Sequence, residues 1–330
     1  MAIILPQGHP AFSRLQSQNI PVRAEAANSD PASADKAVTM GFVNLMPREY
    51  LDETVDLLLG RLAHAPHDIR PVFISPEGKG DKGISWEEAN QRYKLDSALI
   101  TGYAASNLPF EELEFWPALQ AIINDADRKR LPLVAVCAGA MAVAYQTYGI
   151  DKERAPHKLL GNYEYKTEDG RSLHLATSRN NTLNRRQLLN AVREQGLRIA
   201  AQTDETPQPE PGVITDHRRN WILTLAHLEY AYTTSDNYPD FEGQNLHILE
   251  YQYLRDHNTA SPKYDPDLAA RVLPPAHLEL TAEQVRARED YADRLLSGWV
   301  ARTYAHKHDV RFAPAKHPQG QPAYRSAAPF

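Results

Sequence analysis

From residue 37 onward, short apolar runs alternate with stretches of helical periodicity. Residues 37–45 (AVTMGFVNL) are apolar almost without a break, the pattern of a strand buried on both faces, and 50–63 place apolar positions at helical spacing. Further short apolar runs stand at 69–74, 97–101 and 132–136, with helical cover over 110–129. Runs of this kind separated by helices predict an α/β fold, a mostly parallel sheet flanked by helices. Later in the chain the pattern predicts a helix over 138–148 ended by Gly149 and a loop as far as 161. Strands follow at 172–176, 197–201 and 221–226, with helices over 184–195 and 281–306. Residues 1–36 are polar and small with few apolar runs and read as an N-terminal arm, flexible over 24–36, while the composition of 312–330 need not fold. The organisation expected is therefore an arm (1–36), an α/β catalytic domain (37–256) and a C-terminal helical extension with a flexible tail (257–330).

Composition narrows the function. Charged residues are 24% of the chain and the net charge is −6, so there is no basic field to attract nucleic acid or an anionic membrane. No run approaches the roughly 20 apolar residues of a membrane span, and the N-terminus lacks a secretory pattern, which gives a cytoplasmic expectation. The single cysteine rules out an intramolecular disulfide framework and a cysteine-rich metal site. No metal is expected, and the free thiol needs a physical account.

That thiol, Cys137, ends the apolar run LVAV and precedes Ala138, Gly139, Ala140 and a helix. A strand-to-helix turn of this form projects a side chain at the carboxyl edge of a sheet, and small neighbours permit the tight backbone. The helix N-terminus lowers a thiol pKa and offers amides to an oxyanion. Ala138 is the first candidate donor, and Gly102, in the turn after the 97–101 strand, the second. A buried structural cysteine would present the same local pattern. The late strand WILTLA runs into His227 and then Glu229, and residues two apart on a strand share a side. His227 can serve as base to Cys137 while Glu229 orients the imidazole. A capping or core histidine after a strand is the plain alternative. The order Cys, His, Glu is similar to that of class I glutamine-amidotransferase-like, flavodoxin-like folds.

Over roughly residues 37–256 the chain resembles the homoserine O-succinyltransferase family of homoserine O-acyltransferases. The resemblance is carried by Val43-Asn44-Leu45-Met46-Pro47, Thr101-Gly102, Leu108-Pro109-Phe110-Glu111-Glu112 with Trp116, and Cys137-Ala138-Gly139-Ala140. It continues through Tyr148-Gly149-Ile150, Lys158-Leu159, Gly161-Asn162-Tyr163-Glu164, His227-x-Glu229-Tyr230 and Tyr253-Leu254-Arg255-Asp256. It implies acyl transfer from succinyl-CoA or acetyl-CoA to the hydroxyl of L-homoserine, or of a relative such as L-serine, in methionine or cysteine biosynthesis. The acyl group would ride on Cys137 as a thioester, with His227 as base and Glu229 as its partner. Lys158, Ser178 and Arg255 would bind substrate, and Ser106 stands at the position that selects the acyl donor. No cofactor is implied beyond acyl-CoA as co-substrate, and the partners implied are small molecules and a second copy in a homodimer.

The chain also departs from that pattern. Arg48 and Glu49 stand where relatives carry two lysines, Ala138 where a tryptophan is common, and Ala226 and Ala231 flank the His-x-Glu segment, with an insertion over 233–243. Ser106 is neither the glycine nor the glutamate usual at its position. A glutaminase-like hydrolase using the same three residues, or a non-catalytic binding protein of this fold, are the other classes the sequence admits.

Overall fold

A computed structural model describes residues 2–25, 36–47, 50–76, 83–103, 108–230, 234–235, 246–262 and 264–308. Arg48, Glu49, Ser106, Ala231, the 312–330 tail, and most of the 24–36 linker and the 233–243 insertion lie outside the described residues.

In chain order the elements begin β1 (Ile3–Pro6), α1 (Ala11–Ser17), β2 (Val22–Glu25), β3 (Ala37–Val43), α2 (Leu51–Leu62), β4 (Asp68–Ile74), α3 (Trp86–Tyr93) and β5 (Ser97–Ile100). They continue with α4 (Trp116–Lys129), β6 (Leu133–Val136), α5 (Ala138–Tyr148), β7 (Lys152–Thr167), β8 (Ser172–Leu183), α6 (Arg185–Glu194), β9 (Arg198–Thr203), β10 (Glu210–Asp216) and β11 (Trp221–Thr224). A small antiparallel pair, β12 (Thr234–Ser235) and β13 (Leu246–His247), precedes α7 (Ile248–Asp256), α8 (Pro266–Ala269) and α9 (Ala282–Lys307).

One eleven-stranded sheet runs in the order β2-β1-β4-β3-β5-β6-β11-β10-β9-β7-β8. Every neighbouring pair from β2 to β11 is parallel, and the remaining pairs are antiparallel. The central strands are mostly apolar because both faces are covered: all seven residues of β3 are buried. On one face Leu119 and Ile122 of α4, Met141 and Val143 of α5 and Leu188 of α6 close a core. On the other, Leu15 of α1, Leu58 and Leu59 of α2 and Leu296 and Trp299 of α9 close a second. Burying side chains of this size stabilises by about 1.5–3 kcal/mol each. The helix expected over 281–306 is α9, opened by a capping box in which Thr281 and Gln284 satisfy each other's backbone amides.

Three expectations are corrected. Residues 3–25 do not form a detached arm: Ile3 and Leu5 are buried at 1% and 0% exposure, and β1 pairs with β4. The apolar run is short and ends at Pro6, so it does not stand out as a strand in the sequence, yet it suffices at a sheet margin. The loop expected up to 161 is the first half of β7, whose exposed Glu153, Arg154 and His157 face solvent as an antiparallel strand allows. The helix expected over 110–129 divides into a 3₁₀ turn at Phe110–Glu112 and α4. Pro117, lacking an N–H, suits the first turn of a helix and not its interior.

Candidate active site

β6 delivers the chain into Cys137, which caps α5 with φ 52° and ψ −118°. A non-glycine residue at positive φ costs on the order of 1–3 kcal/mol and persists only where its surroundings hold it. Here the Cys137 N–H donates to the Thr224 carbonyl at 2.7 Å and its carbonyl accepts from the Met141 N–H at 3.1 Å. The small residues after it are required by space: a Cβ on Gly139 would lie 2.3 Å from the Thr101 carbonyl oxygen. Gly102 also comes close, since a Cβ there would sit 3.3 Å from the Cys137 Cβ and 3.9 Å from the Ala138 nitrogen. The half-buried thiol thus stands between the α5 N-terminus and the 101–103 turn, with Ala138 and Gly102 both beside it.

The segment after β11 is pinned across the sheet by the His227 N–H, which donates to the Ala176 carbonyl of β8 at 2.7 Å. The Nδ1 of His227 lies 2.7 Å from Oε1 of Glu229, and both side chains are buried. Tyr230 stacks on the imidazole, centroids 4.2 Å apart. The Nε2 of His227 is buried with no hydrogen-bond partner among the described residues.

The charges reinforce one another. Burial pushes the Cys137 thiol up, but the charges of His227 and Arg179 outweigh it, so the thiol ends below its ordinary value. Burial opposes a charged His227; Tyr230, Glu229 and Cys137 overcome that and raise the imidazole well above its ordinary value. Tyr230 is itself pushed up to about 12 by burial and is neutral at physiological pH, so its share is the electron-rich ring face rather than a charge. Both shifts favour the charged forms, thiolate on Cys137 and imidazolium on His227.

Lys158 and Arg255 meet the same space from β7 and α7. Asp256 holds both: Lys158 Nζ bonds to its Oδ2, and Arg255 Nε and Nη2 approach its Oδ1 at 3.1 and 2.9 Å. Burial pulls the Lys158 ammonium below its usual value, with Asp256 opposing and Arg255 adding to the pull. Ser178 forms part of the wall, its carbonyl 3.8 Å from the Cys137 sulfur. Cys137, Ala138, Gly102, His227, Glu229, Lys158, Ser178 and Arg255 all line one cavity of about 620 Å³. Ser106 lies outside the described residues.

Two polar groups of this site received no role from the sequence, although Asp256 ends the Tyr253–Asp256 segment that carries the resemblance. Arg179, next to Ser178, is 3% exposed and paired through Nη2 with Glu210 at 3.0 Å, so its charge is fixed near the thiol. Asp256 closes the Lys158–Arg255 cluster. Their partners are 31 and 98 residues away, and no local pattern signals pairings at such separations. Among the described residues no group of three or more His, Cys, Asp or Glu could hold a metal ion, and no helix is long and apolar enough to cross a membrane.

Comparison with known proteins follows the same line. A family model described as homoserine O-succinyltransferase matches residues 2–284. The chain belongs to the homoserine O-succinyltransferase family. It is thereby an O-acyltransferase by family. Similar relatives include a homoserine O-succinyltransferase of Pelagibacterium halotolerans, 26% identical over 269 residues, covering 72% of this chain and 80% of that one. A homoserine O-acetyltransferase of Desulfovibrio desulfuricans is 27% identical over 288 residues, covering 80% and 87%. Among solved structures, a glutamine amidotransferase from Methylobacillus flagellatus aligns at 13% identity and a TM-score of 0.49, over 86% of this chain and 100% of that one.

Proposed function

We propose that the chain moves an acyl group from a coenzyme A thioester to the hydroxyl of homoserine, or of a close relative such as serine, through a thioester on Cys137. The observation that carries this is one cavity lined by Cys137, the Glu229-bound His227 and the Lys158–Asp256–Arg255 cluster. Family membership supports the acyl acceptor; relatives named for acetyl and for succinyl transfer leave both donors in view.

In the first half-reaction the Cys137 sulfur attacks the acyl carbonyl carbon, the carbon–sulfur bond to coenzyme A breaks, and the departing thiolate takes the proton from His227. The amides of Ala138 and Gly102, both beside Cys137, are the donors assigned to the developing oxyanion. In the second, neutral His227, oriented by Glu229, takes the proton of the acceptor hydroxyl while its oxygen attacks the thioester, and Cys137 leaves as thiolate. The resting ion pair is restored. The Lys158–Asp256–Arg255 cluster carries one net positive charge, which suits an amino-acid carboxylate, with Asp256 available to the ammonium.

The test is intact-protein mass spectrometry after brief exposure to acetyl-CoA or succinyl-CoA, with Cys137→Ala as control, followed by homoserine or serine. An adduct on Cys137 that one amino acid discharges supports the reading and names donor and acceptor. No adduct with either ester in folded protein, or full turnover by Cys137→Ala, sinks it; ammonia released from glutamine without any ester would favour a hydrolase.

A further inference from the structure

Tyr103 follows Gly102 and packs edge-on against Phe115, ring centroids 5.4 Å apart and planes at 73°, within the core under α4 and α5. It is only 7% exposed, and its hydroxyl is buried with no hydrogen-bond partner among the described residues. Buried tyrosine hydroxyls normally find a partner, because an orphan loses water and gains nothing in return. This one lines the cavity that holds Cys137. Among the described residues it is therefore a buried donor without an acceptor, on a residue of the cavity wall.

The surroundings decide which acceptor. Lys158 and Arg255 are shared with Asp256, and Arg179 with Glu210, and no hydrogen bond joins any of them to the Tyr103 hydroxyl. A neutral phenol in an apolar wall suits an oxygen that gains negative charge only in passing. Burial, with the nearby Cys137 adding to it, raises this phenol far above its ordinary value, so it remains a donor at any working pH.

We propose that Tyr103 is a further catalytic residue, its hydroxyl donating to the acyl carbonyl oxygen as Cys137 attacks, beside the amides of Ala138 and Gly102. This rests on the acyl-transfer reading above. As the sulfur–carbon bond forms, the carbonyl π electrons move to oxygen; Tyr103 stabilises them by a hydrogen bond without giving up its proton, and collapse expels the coenzyme A thiolate.

The experiment is single-turnover acylation of wild type and Tyr103→Phe by acetyl-CoA and by succinyl-CoA, read by intact mass, with thermal unfolding of both proteins. The expected result is a roughly 100-fold lower acylation rate constant with both donors, the size of losing one oxyanion donor, at nearly unchanged half-saturating ester. The melting temperature should not fall, since phenylalanine removes an unsatisfied buried hydroxyl. Equal rates overturn the proposal. So does a loss confined to succinyl-CoA, which would place the hydroxyl at the far end of the acyl chain, and so does a lower melting temperature, which would make it a structural group. Wild type that takes no acyl group from either ester fails the acyl-transfer reading and this inference with it; wild type that is acylated and matched by Tyr103→Phe fails this inference alone.

Discussion

The His227 imidazole lies flat on the Tyr230 ring, planes within 10° and centroids 4.2 Å apart, while its edge is held by Glu229. A cation on an aromatic face in a desolvated place is stabilised by about 1–2 kcal/mol. Tyr230→Leu should therefore weaken the imidazolium and lower the equilibrium constant for the charged pair by about five-fold, equivalent to about 1 kcal/mol. The check is the rate of Cys137 alkylation by iodoacetamide at pH 7; an unchanged rate would reject the role of the ring.

The thiol pKa is lowered in the folded protein and that of His227 is raised, so each group favours the charged form of the other. Alkylation should rise with pH through an inflection below the ordinary thiol value of about 8.5. With His227→Asn the main opposing charge is gone and burial acts with less resistance. The inflection should then move upward, and a profile that stays in place would show that the helix N-terminus and Arg179 suffice.

Asp256 neutralises a lysine that is 5% exposed. Asp256→Asn leaves Lys158 charged and uncompensated, or forces it to lose its proton, and removal of one partner of a buried pair costs about 3–5 kcal/mol. Denaturant unfolding should show that loss. Acceptor half-saturation should rise more than the acylation rate changes, because no hydrogen bond joins the cluster to Cys137 among the described residues.

The elbow admits no larger residue at Gly139, whose added Cβ would meet a carbonyl oxygen at 2.3 Å. Gly139→Ala must displace either the 101–103 turn or α5. A destabilisation of at least about 1–3 kcal/mol is expected, the usual cost of overpacking, together with slower Cys137 acylation. Wild-type stability and rate in this variant would mean that the turn yields freely.

The central layer is legible in the sequence because strands buried on both faces write themselves as unbroken apolar runs. Cys137 is legible because a thiol set between such a run and three small residues is the linear form of a strand-to-helix elbow. His227 and Glu229 are readable as a pair from their spacing of two. The margins are not: β7 interleaves Lys152, Glu153 and Arg154 with few apolar positions, and β10 contains Pro211 and Gly212, which argue against a strand when read locally. Tyr103 is visible as a residue, but an unsatisfied hydroxyl is a property of its surroundings. Charge pairings such as Arg179 with Glu210 emerge only when distant strands are laid together.

The placement of β1 and β2 has a consequence for how copies of this chain treat one another. Without them β4 would offer a seven-residue, largely apolar strand edge, the kind of template on which a second molecule can stack. Instead the margin ends in a four-residue strand with exposed Arg23 and Ala24, tied inward by Glu25 to the buried Arg70 at 2.7 Å and by Arg23 to Asp68 at 2.8 Å. Trimming the first 25 residues would leave the cavity's own walls in the chain yet bare that edge, and the damage would show first as aggregation.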